Sequence, residues 1–446
     1  MYIDFLLNVF KENSEQDAII WRDKAYTYER VLQLIAEREV ALGSWKIGAG
    51  TVVAVEGDFS PNTIALMLSL IEKSCIIVPL NNSVLKNKEL LLKIAQVEFI
   101  FSVDKKDDVS AEQRPIVAGN EFYLSLRQRQ RPGLVLFTSG TSGKPKGAVH
   151  DFLLLLEKFK TRRKGLKTLN FLLFDHWGGL NTMFHILSNG GTVIATQDRL
   201  PDSVCAFVEK YRIELLPTSP TFLNLLLISE AYKRYDLSSL KIISYGTEPM
   251  PENTLKKMNS LFPSVLFQQT YGLIELGVLR SKSKSSDSLW LKIGGEGFET
   301  RVIDGILQIK AQSAMMGYLN AESPFTEDGW YVTGDAVEVD GEYIKFLGRK
   351  TECINVGGEK VYPTEIENVI QEMDNVAEVR IFREANPITG NIVCAEVRLV
   401  EDEDPKEFAK RLKRYCFHKI EAYKVPVKVK VAAEKQHGDR FKKIRR

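Results

Sequence analysis

Cysteines are few in this sequence of 446 residues, and none of them belongs to a recognisable metal-binding or redox motif. They lie far apart, with no Cys-x-x-Cys pair and no histidine-rich cluster, at positions 75, 205, 353, 394 and 416. This spacing argues against a structural zinc site and predicts a chain that is kept reduced in the cytoplasm.

Long hydrophobic runs are also absent. The run FLLLL at 152–156 falls far short of the ~20 apolar residues that a membrane-spanning helix needs. The first stretch, MYIDFLLNVFKENSEQ, has no basic region ahead of its short apolar run, and acidic residues follow at once. We therefore expect a soluble protein with no transmembrane segment.

An excess of charge of either sign is missing too. Lysine and arginine total 60 and aspartate and glutamate 58, which leaves a formal net charge of +2. Such a balance argues against a surface dedicated to nucleic acid or to anionic membranes. We expect the main partner to be a small molecule.

What the sequence does contain is a regular alternation of strand and helix patterns. TVVAVEG (51–57) is typical of a buried strand, PNTIALMLSLIEK (61–73) of a helix, and CIIVPLN (75–81) of the next strand. The same rhythm returns between residues 190 and 246. This pattern indicates an α/β fold with doubly wound sheets.

The pattern changes near residue 290. FETRVIDGILQIKAQ (298–312) reads as two strands joined by an Asp-Gly turn, which predicts a β-rich subdomain. The helix and strand patterns after residue 360 predict a compact α+β unit. We therefore predict a large N-terminal domain, residues 1–347, and a small C-terminal domain, residues 348–446.

The stretch TSGTSGKPKG (138–147) is rich in glycine, hydroxyl side chains and lysine. It follows an apolar strand at 133–137 and precedes AVHDFLLLLEKF, whose apolar residues predict a helix, so we expect a turn from strand to helix. Such a turn directs main-chain N–H groups into one concavity, and Lys144 and Lys146 supply positive charge. Pro145 after Lys144 departs from the Walker pattern. An exposed linker is the alternative, but we favour a phosphate-binding loop.

Further motifs in a fixed order accompany this loop. They are QTYGLIELG (269–277), GILQIKAQSAMMGYLN (305–320), DGWYVTGD (328–335), GRKTECINVGGEKVYPTEIE (348–367) and GDRFKKIRR (438–446). Together with the loop they resemble the motifs of the adenylate-forming superfamily, most closely those of acyl-CoA synthetases and AMP-dependent acid–CoA ligases. The resemblance covers nearly the whole chain, and it implies that the small C-terminal domain is mobile.

The activity implied by this resemblance is a ligation in two steps. A fatty or aryl carboxylic acid is activated by ATP to an acyl adenylate with release of pyrophosphate, and the acyl group then passes to the thiol of CoA. ATP, Mg²⁺ and CoA are the implied cofactors. Two alternatives stay open: transfer of an acyl group or an amino acid to the phosphopantetheine arm of an acyl or peptidyl carrier protein, and a degenerate homologue that binds nucleotide without turnover.

The resemblance also implies roles for individual residues. Glu275 would coordinate Mg²⁺, Tyr271 would lie against adenine with Gly246 and Thr247 on its other side, and Asp335 would bind the ribose. The full set of implied nucleotide-binding residues is Thr138, Ser139, Gly140, Thr141, Ser142, Gly143, Lys146, Gly246, Thr247, Tyr271, Gly272, Asp335 and Arg349.

The catalytic lysine is implied by the last motif. Aligning KIRR with the Lys-Ile-x-Arg ending of the superfamily selects Lys443, with Lys442 as the neighbouring alternative. A solvated basic tail with no catalytic role is the other interpretation of these residues.

Two positions depart from the superfamily pattern. Ile274 stands where a threonine hydroxyl usually contacts the α-phosphate, and Thr270 is a possible substitute donor. At the domain junction Thr351 takes the usual place of Asp or Lys, so Thr351 or Glu352 would be the hinge.

Acid specificity is expected from the stretch FLLFDHWGGLNTMFHIL (171–187). Its HWGGLN segment resembles that of fatty and aryl CoA ligases and would place His176 near the substrate carboxylate. Asp175 raises a rival reading, since amino-acid-activating domains use an aspartate to pair with the substrate ammonium. Trp177 replaces the serine of that motif, so we favour an acid without an amine. Trp177 and Phe184 suit an apolar acyl or aryl chain, although they could equally be core residues.

Overall fold

The structure, a computed structural model, describes residues 2–81, 87–139, 144–196 and 198–432. Within these ranges no helix is both long and apolar enough to cross a membrane. The α-helices are α1 (Asp4–Glu12), α2 (Tyr28–Ser44), α3 (Pro61–Glu72), α4 (Lys88–Ile94), α5 (Glu121–Gln128), α6 (Phe152–Leu156), α7 (Trp177–Leu187), α8 (Pro201–Tyr211), α9 (Pro220–Ser229), α10 (Glu252–Leu261), α11 (Pro363–Gln371) and α12 (Pro405–Phe417).

Two seven-stranded sheets form the large part of the molecule, which confirms the expected α/β class. The first has the order β13-β12-β11-β9-β10-β1-β2. Its strands are β1 (Asp17–Trp21), β2 (Lys24–Thr27), β9 (Lys167–Asn170), β10 (Thr192–Ala195), β11 (Leu215–Thr218), β12 (Ile242–Tyr245) and β13 (Leu266–Gln269). All but β2 run parallel, so their carboxyl ends meet at one edge, where ligands bind in such sheets.

The second sheet has the order β20-β8-β7-β4-β3-β5-β6. Its strands are β3 (Val52–Glu56), β4 (Ile76–Leu80), β5 (Phe99–Val103), β6 (Val109–Gln113), β7 (Gly133–Ser139), β8 (Pro145–Asp151) and β20 (Gly317–Tyr318). The largest hydrophobic core contains residues of α3, α7, β3 and β10, so it packs between the two sheets.

The expected turn from strand to helix after residue 139 is wrong. Residues 145–151 form strand β8, which pairs antiparallel with β7 from Thr138↔Lys146 to Gly133↔Asp151. The helix begins only at Phe152, because the Asp151 side chain accepts a hydrogen bond from the Leu153 N–H and so caps it. The segment is therefore a β-hairpin, which we call the phosphate hairpin (residues 133–151).

The predicted β-rich subdomain is a six-stranded antiparallel sheet of order β16-β17-β22-β21-β19-β18. Its strands are β16 (Arg280–Ser283), β17 (Leu291–Gly294), β18 (Phe298–Ile303), β19 (Ile306–Ala311), β21 (Tyr331–Asp340) and β22 (Tyr343–Arg349). The predicted hairpin is present: Asp304 and Gly305 have φ of 52° and 73°, which a two-residue turn of this type requires.

The C-terminal part has its own hydrophobic core, with α11 and α12 packed on a three-stranded sheet. The strands are β25 (Val376–Asn386), β26 (Gly390–Leu399) and β27 (Lys428–Val431), and a separate hairpin is formed by β23 (Ile354–Val356) and β24 (Glu359–Val361). The Asn224 side chain of α9 donates a hydrogen bond of 2.9 Å to the Ala377 carbonyl of β25. Strand β22 runs to Arg349, and a domain boundary at 347/348 stays a prediction.

Candidate active site

The phosphate hairpin brings the two ends of the glycine-rich loop together. Thr138 lies at the end of β7, opposite Lys146 on β8. The Lys146 ammonium lies 5.3 Å from the centroid of the Tyr318 ring, a distance typical of a cation–π contact. Gly140, Thr141, Ser142 and Gly143 lie outside the described residues, as does the side chain of Ser139.

Glu275 lies on the loop between two short strands, β14 (Gly272–Leu273) and β15 (Gly277–Val278). Its carboxylate is buried and accepts a hydrogen bond of 2.5 Å from the Tyr318 hydroxyl. Burial, together with the negative charge of Glu275, raises the pKa of Tyr318, so the phenol stays a donor at neutral pH. Tyr331 lies beside the same carboxylate.

The two residues named as departures have clear surroundings. Ile274 packs against the hydrophobic core beside α7 and against the cluster containing Ala148 and Tyr318. The Thr270 hydroxyl already donates to the Tyr245 carbonyl at 3.1 Å. The Thr270 hydroxyl is therefore already used as a donor, and it does not replace the hydroxyl that a threonine at position 274 would supply.

Asp335 is the centre of a second polar cluster. Its carboxylate accepts hydrogen bonds from the Tyr271 hydroxyl (2.6 Å) and pairs with Arg349 Nε (3.1 Å). Burial raises the pKa of the Asp335 carboxyl, and Arg349 and the Tyr271 hydroxyl offset part of that rise, while the negative charge of Glu275 adds to it. The two acidic sites are thus close enough to interact.

The Tyr271 ring has one face covered. It stacks on Phe346 of β22 with a centroid separation of 4.6 Å and an interplanar angle of 17°. Burial, followed by the charge of Asp335, raises the pKa of its hydroxyl well above the ordinary value. Gly272 opens β14, where it pairs with Val278, and an added Cβ there would lie 2.9 Å from the Gly277 carbonyl oxygen.

Gly246 and Thr247 follow strand β12 at the carboxyl edge of the first sheet. Thr247 has φ of 74°, which is unusual for a β-branched residue. A Cβ on Gly246 would lie 2.5 Å from the Thr270 hydroxyl oxygen and 2.7 Å from its carbonyl oxygen. The main chain before Tyr271 therefore passes close to Gly246.

We predict that Gly246→Ala lowers the free energy of unfolding by about 1–3 kcal/mol, the usual penalty for overpacking, and raises the KM for ATP. Gly43→Ala is the matched control, because its Cβ would meet nothing within 4 Å on helix α2. Urea unfolding and a titration with ATP test both effects. Equal behaviour of the two variants would contradict the prediction.

His176 caps the amino end of α7. Its Nδ1 accepts a hydrogen bond of 3.1 Å from the Gly178 N–H, so Nδ1 is unprotonated and Nε2 is the nitrogen that can carry a proton. Trp177 and Phe184 are fully buried and pack around Phe152. These two aromatic residues belong to the core that supports the predicted acid wall.

A buried arginine that the sequence analysis missed holds the loop before α7. Arg199 Nε donates to the Phe171 carbonyl at 2.6 Å, and Nη2 lies 3.8 Å from a carboxylate oxygen of Asp58. Burial lowers the pKa of Arg199, and the charges of Asp58, Asp175 and Asp198 oppose that effect. Asp175 therefore lies close to a protein cation. No sequence motif indicated Arg199, because its partners come from distant loops.

His150 lies on β8, completely enclosed by protein. Burial lowers its pKa to about 4, and the neighbouring carbonyls of Ile274 and Ser313 offset only part of this shift. The unfolded chain, with an ordinary histidine pKa of about 6.5, therefore binds the proton more readily than the folded chain. Stability contributed by neutral His150 is complete above pH 6.5 and is lost as pH falls towards 4.

We predict that the decrease in the free energy of unfolding between pH 7.5 and pH 4.5 is about 2–3 kcal/mol smaller in His150→Gln than in the wild type. Urea titrations at both pH values measure the difference. Parallel pH profiles of the two proteins would show that His150 does not carry this dependence.

The junction between the two parts of the chain is a short 3-10 turn, Lys350–Glu352. It contains Thr351 and Glu352 and follows Arg349 directly. Lys442 and Lys443 lie outside the described residues, so the assignment of the catalytic lysine rests on the sequence motif.

Metal ligands are sparse. Across the residues that the structure describes, no group of three or more His, Cys, Asp or Glu side chains could hold a metal ion. A single buried carboxylate such as Glu275, joined through Tyr318 to the predicted phosphate-binding loop, nevertheless fits Mg²⁺. This ion usually takes one or two protein carboxylates and completes its shell with phosphates and water.

Comparison with protein families gives two matches. Residues 8–294 match the family described as AMP-binding enzyme, and residues 365–439 match the AMP-binding enzyme C-terminal domain. Together the matches include most of the chain.

Individual relatives agree with these matches. Indoleacetate–CoA ligase of Aromatoleum aromaticum is 27% identical over 85% of this chain and 84% of its own length. The D-alanine–D-alanyl carrier protein ligase of Staphylococcus aureus is 23% identical over 90% of both chains. The anthranilate CoA ligase AuaEII, solved with anthranoyl-AMP, superposes with a TM-score of 0.82 at 16% identity and covers 97% of this chain and 93% of its own.

Proposed function

The chain belongs to the AMP-binding enzyme family, and from this premise we propose that it is an AMP-forming acid–thiol ligase. It activates a fatty or aryl carboxylic acid to an acyl adenylate and then transfers the acyl group to the thiol of CoA. The observation that carries the proposal is the convergence of three elements: the phosphate hairpin, the buried carboxylate of Glu275 and the Asp335 cluster.

In the first step, a carboxylate oxygen of the acid attacks the α-phosphorus of ATP, the bond to the bridging oxygen breaks, and pyrophosphate leaves. Negative charge increases on the phosphate oxygens as this occurs. Thr138, Lys146 and the loop between them are suited to bind the β- and γ-phosphates, and Lys443 would bring a second positive charge. Mg²⁺ held by Glu275 would neutralise part of the phosphate charge.

The nucleoside would be held by the second polar cluster. With Phe346 against one face of Tyr271, the other face is the one for adenine, opposite Gly246 and Thr247. The Asp335 carboxylate is suited to accept hydrogen bonds from ribose hydroxyls. Arg349 already compensates the negative charge of the Asp335 carboxylate, so this carboxylate can stay ionised although it is buried.

The surroundings of Asp175 favour an acid without an amino group. The positive charge of Arg199 interacts with the Asp175 carboxylate. This carboxylate therefore does not need a substrate ammonium group to compensate its charge. His176 Nε2 is suited to donate a hydrogen bond to the substrate carboxylate, since Nδ1 is engaged by Gly178. This donor would hold the nucleophilic oxygen in line with the α-phosphate.

The thiol acceptor is CoA. The turn between β23 and β24 contains Gly357 and Gly358, both with positive φ, and side chains are absent where a pantetheine arm would pass. A carrier protein is the second candidate, because the relative from Staphylococcus aureus is named as a carrier protein ligase. All five cysteines are free, which favours the reducing cytoplasm as the compartment.

Pyrophosphate release tests the proposal. The full chain is incubated with ATP and Mg²⁺ and with fatty, aryl or amino acids in turn, and CoA is then added to the best acid. We expect release with a fatty or aryl acid and conversion to acyl-CoA. An adenylate that does not react with CoA would favour a carrier protein, and no release with any acid would favour a nucleotide-binding homologue without turnover.

A further inference from the structure

We propose that residues 317–320, the bridge segment GYLN, fix the phosphate hairpin and Glu275 relative to each other. Asn320 is the positioning residue for the hairpin and Tyr318 for the carboxylate. The inference rests on the proposed function, because both groups would act on bound nucleotide.

The Asn320 side chain holds the main chain on both sides of Lys146. Its Nδ2 donates to the Pro145 carbonyl at 2.9 Å, and its Oδ1 accepts from the Gly147 N–H at 3.1 Å. The Leu319 N–H donates to the Gly147 carbonyl at 2.8 Å. These three bonds fix the main chain from which the Lys146 side chain extends.

Tyr318 connects the same hairpin to Glu275. Strand β20 pairs antiparallel with β8 through Gly317↔Val149 and Tyr318↔Ala148. From this position the Tyr318 hydroxyl donates to Glu275 Oε1 at 2.5 Å, and its ring faces the Lys146 ammonium at 5.3 Å. One side chain therefore contacts both the lysine that we assign to the phosphates and the carboxylate that we assign to Mg²⁺.

The main chain directly before the bridge supports the same connection. The Met315 N–H donates to the Glu275 carbonyl at 2.8 Å, and the Met316 N–H donates to the Val149 carbonyl at 2.7 Å. Successive residues thus bind first the Glu275 segment and then the hairpin. Because Lys146 and Glu275 would contact the phosphates and the Mg²⁺ of the same bound ATP, a fixed separation between them would bear directly on the binding of ATP.

Two variants of the full chain test the bridge: Asn320→Ala and Tyr318→Phe. In the pyrophosphate assay each is expected to raise the KM for ATP about 10-fold, a factor in the range for losing two neutral hydrogen bonds (Asn320) or one to a charged group (Tyr318). The KM for the acid should stay near the wild-type value. Tyr318→Phe is also expected to raise the Mg²⁺ concentration needed for half-maximal rate.

Matched controls separate positioning from general stability. Asn259→Ala removes two hydrogen bonds of 3.0 Å, to the Leu255 and Ser286 carbonyls, and Tyr123→Phe removes one of 2.9 Å to the Ala95 carbonyl. The acceptors of these control hydrogen bonds lie outside the bridge, the hairpin and the Glu275 segment. They are expected to leave the KM for ATP unchanged even where the melting temperature falls.

A second readout needs neither turnover nor nucleotide. Hydrogen–deuterium exchange of the free protein, followed in peptides covering residues 144–152, is expected to speed up in Asn320→Ala but not in Asn259→Ala. Unchanged exchange, or equal increases in the KM values for ATP and acid, would overturn the bridge. If the wild type releases no pyrophosphate with any acid, the proposed function fails, while the exchange experiment still decides whether Asn320 fixes the hairpin.

Discussion

Lys443→Ala is expected to lower the rate of carboxylate-dependent pyrophosphate release by about 10²–10³-fold, the loss typical for removing one group that stabilises developing charge. Negative charge increases on the α-phosphate during adenylation, and the sequence motif assigns the stabilisation of that charge to Lys443. Transfer of the acyl group from a supplied acyl adenylate to CoA should continue, because in that step the thiol attacks the acyl carbon and AMP leaves, so the α-phosphorus itself is not attacked. The two half-reactions are measured separately.

Lys442→Ala is the matched control for this experiment. The two lysines are neighbours, so their replacement removes the same charge from the same short segment. We expect Lys442→Ala to keep most of the adenylation rate. A greater loss in Lys442→Ala than in Lys443→Ala would transfer the role to Lys442.

Asp335→Asn is expected to raise the KM for ATP by about 10²-fold. The substitution removes the negative charge that we assign to the ribose hydroxyls, and it leaves Arg349 without its charged partner at 3.1 Å. The Asp335 side chain is only 12% exposed, so loss of hydrogen bonds to its charge costs about 1.5–3 kcal/mol, whereas water can replace much of the lost ion pair at the half-exposed Arg349 side chain. Equilibrium binding of ATP and urea unfolding divide this cost between affinity and stability.

Asp340→Asn provides the control on the same strand, β21. Its carboxylate pairs with Lys284 at 3.0 Å, and both side chains are about half exposed. Exposed pairs contribute at most about 1 kcal/mol, so affinity for ATP and stability should change little. A normal KM for ATP in Asp335→Asn would argue against the assignment of Asp335 to the ribose.

Local patterns predicted much of the fold. The helix at 61–73 and the strand at 51–57 were predicted close to their observed limits, Pro61–Glu72 and Val52–Glu56, because hydrophobic periodicity is a property of a few neighbouring residues. The Asp304-Gly305 turn was predicted for the same reason, since its sequence fits positive φ at both positions.

The stretch after the glycine-rich loop was misread for a physical reason. Its apolar residues run from Ala148 to Leu156 with only His150 and Asp151 between them, and a short apolar run does not distinguish a buried strand from a helix. Pairing with β7 and β20 makes residues 145–151 a strand. Those partners are distant in sequence, and no local preference indicates them.

The chain by itself determined the order of the motifs, and with it the family, the alternation of strands and helices, and the residue types available for binding nucleotide. Only the tertiary structure decided which of those residues meet. Tyr318 reaches Glu275 across 43 positions, and Tyr271 reaches Asp335 across 64. Arg199, which follows strand β10 of the first sheet, lies near Asp58, which follows strand β3 of the second sheet. Such contacts depend on sheet order and register, which arise from packing of the whole chain, whereas propensity, capping and turn chemistry are set by neighbouring residues.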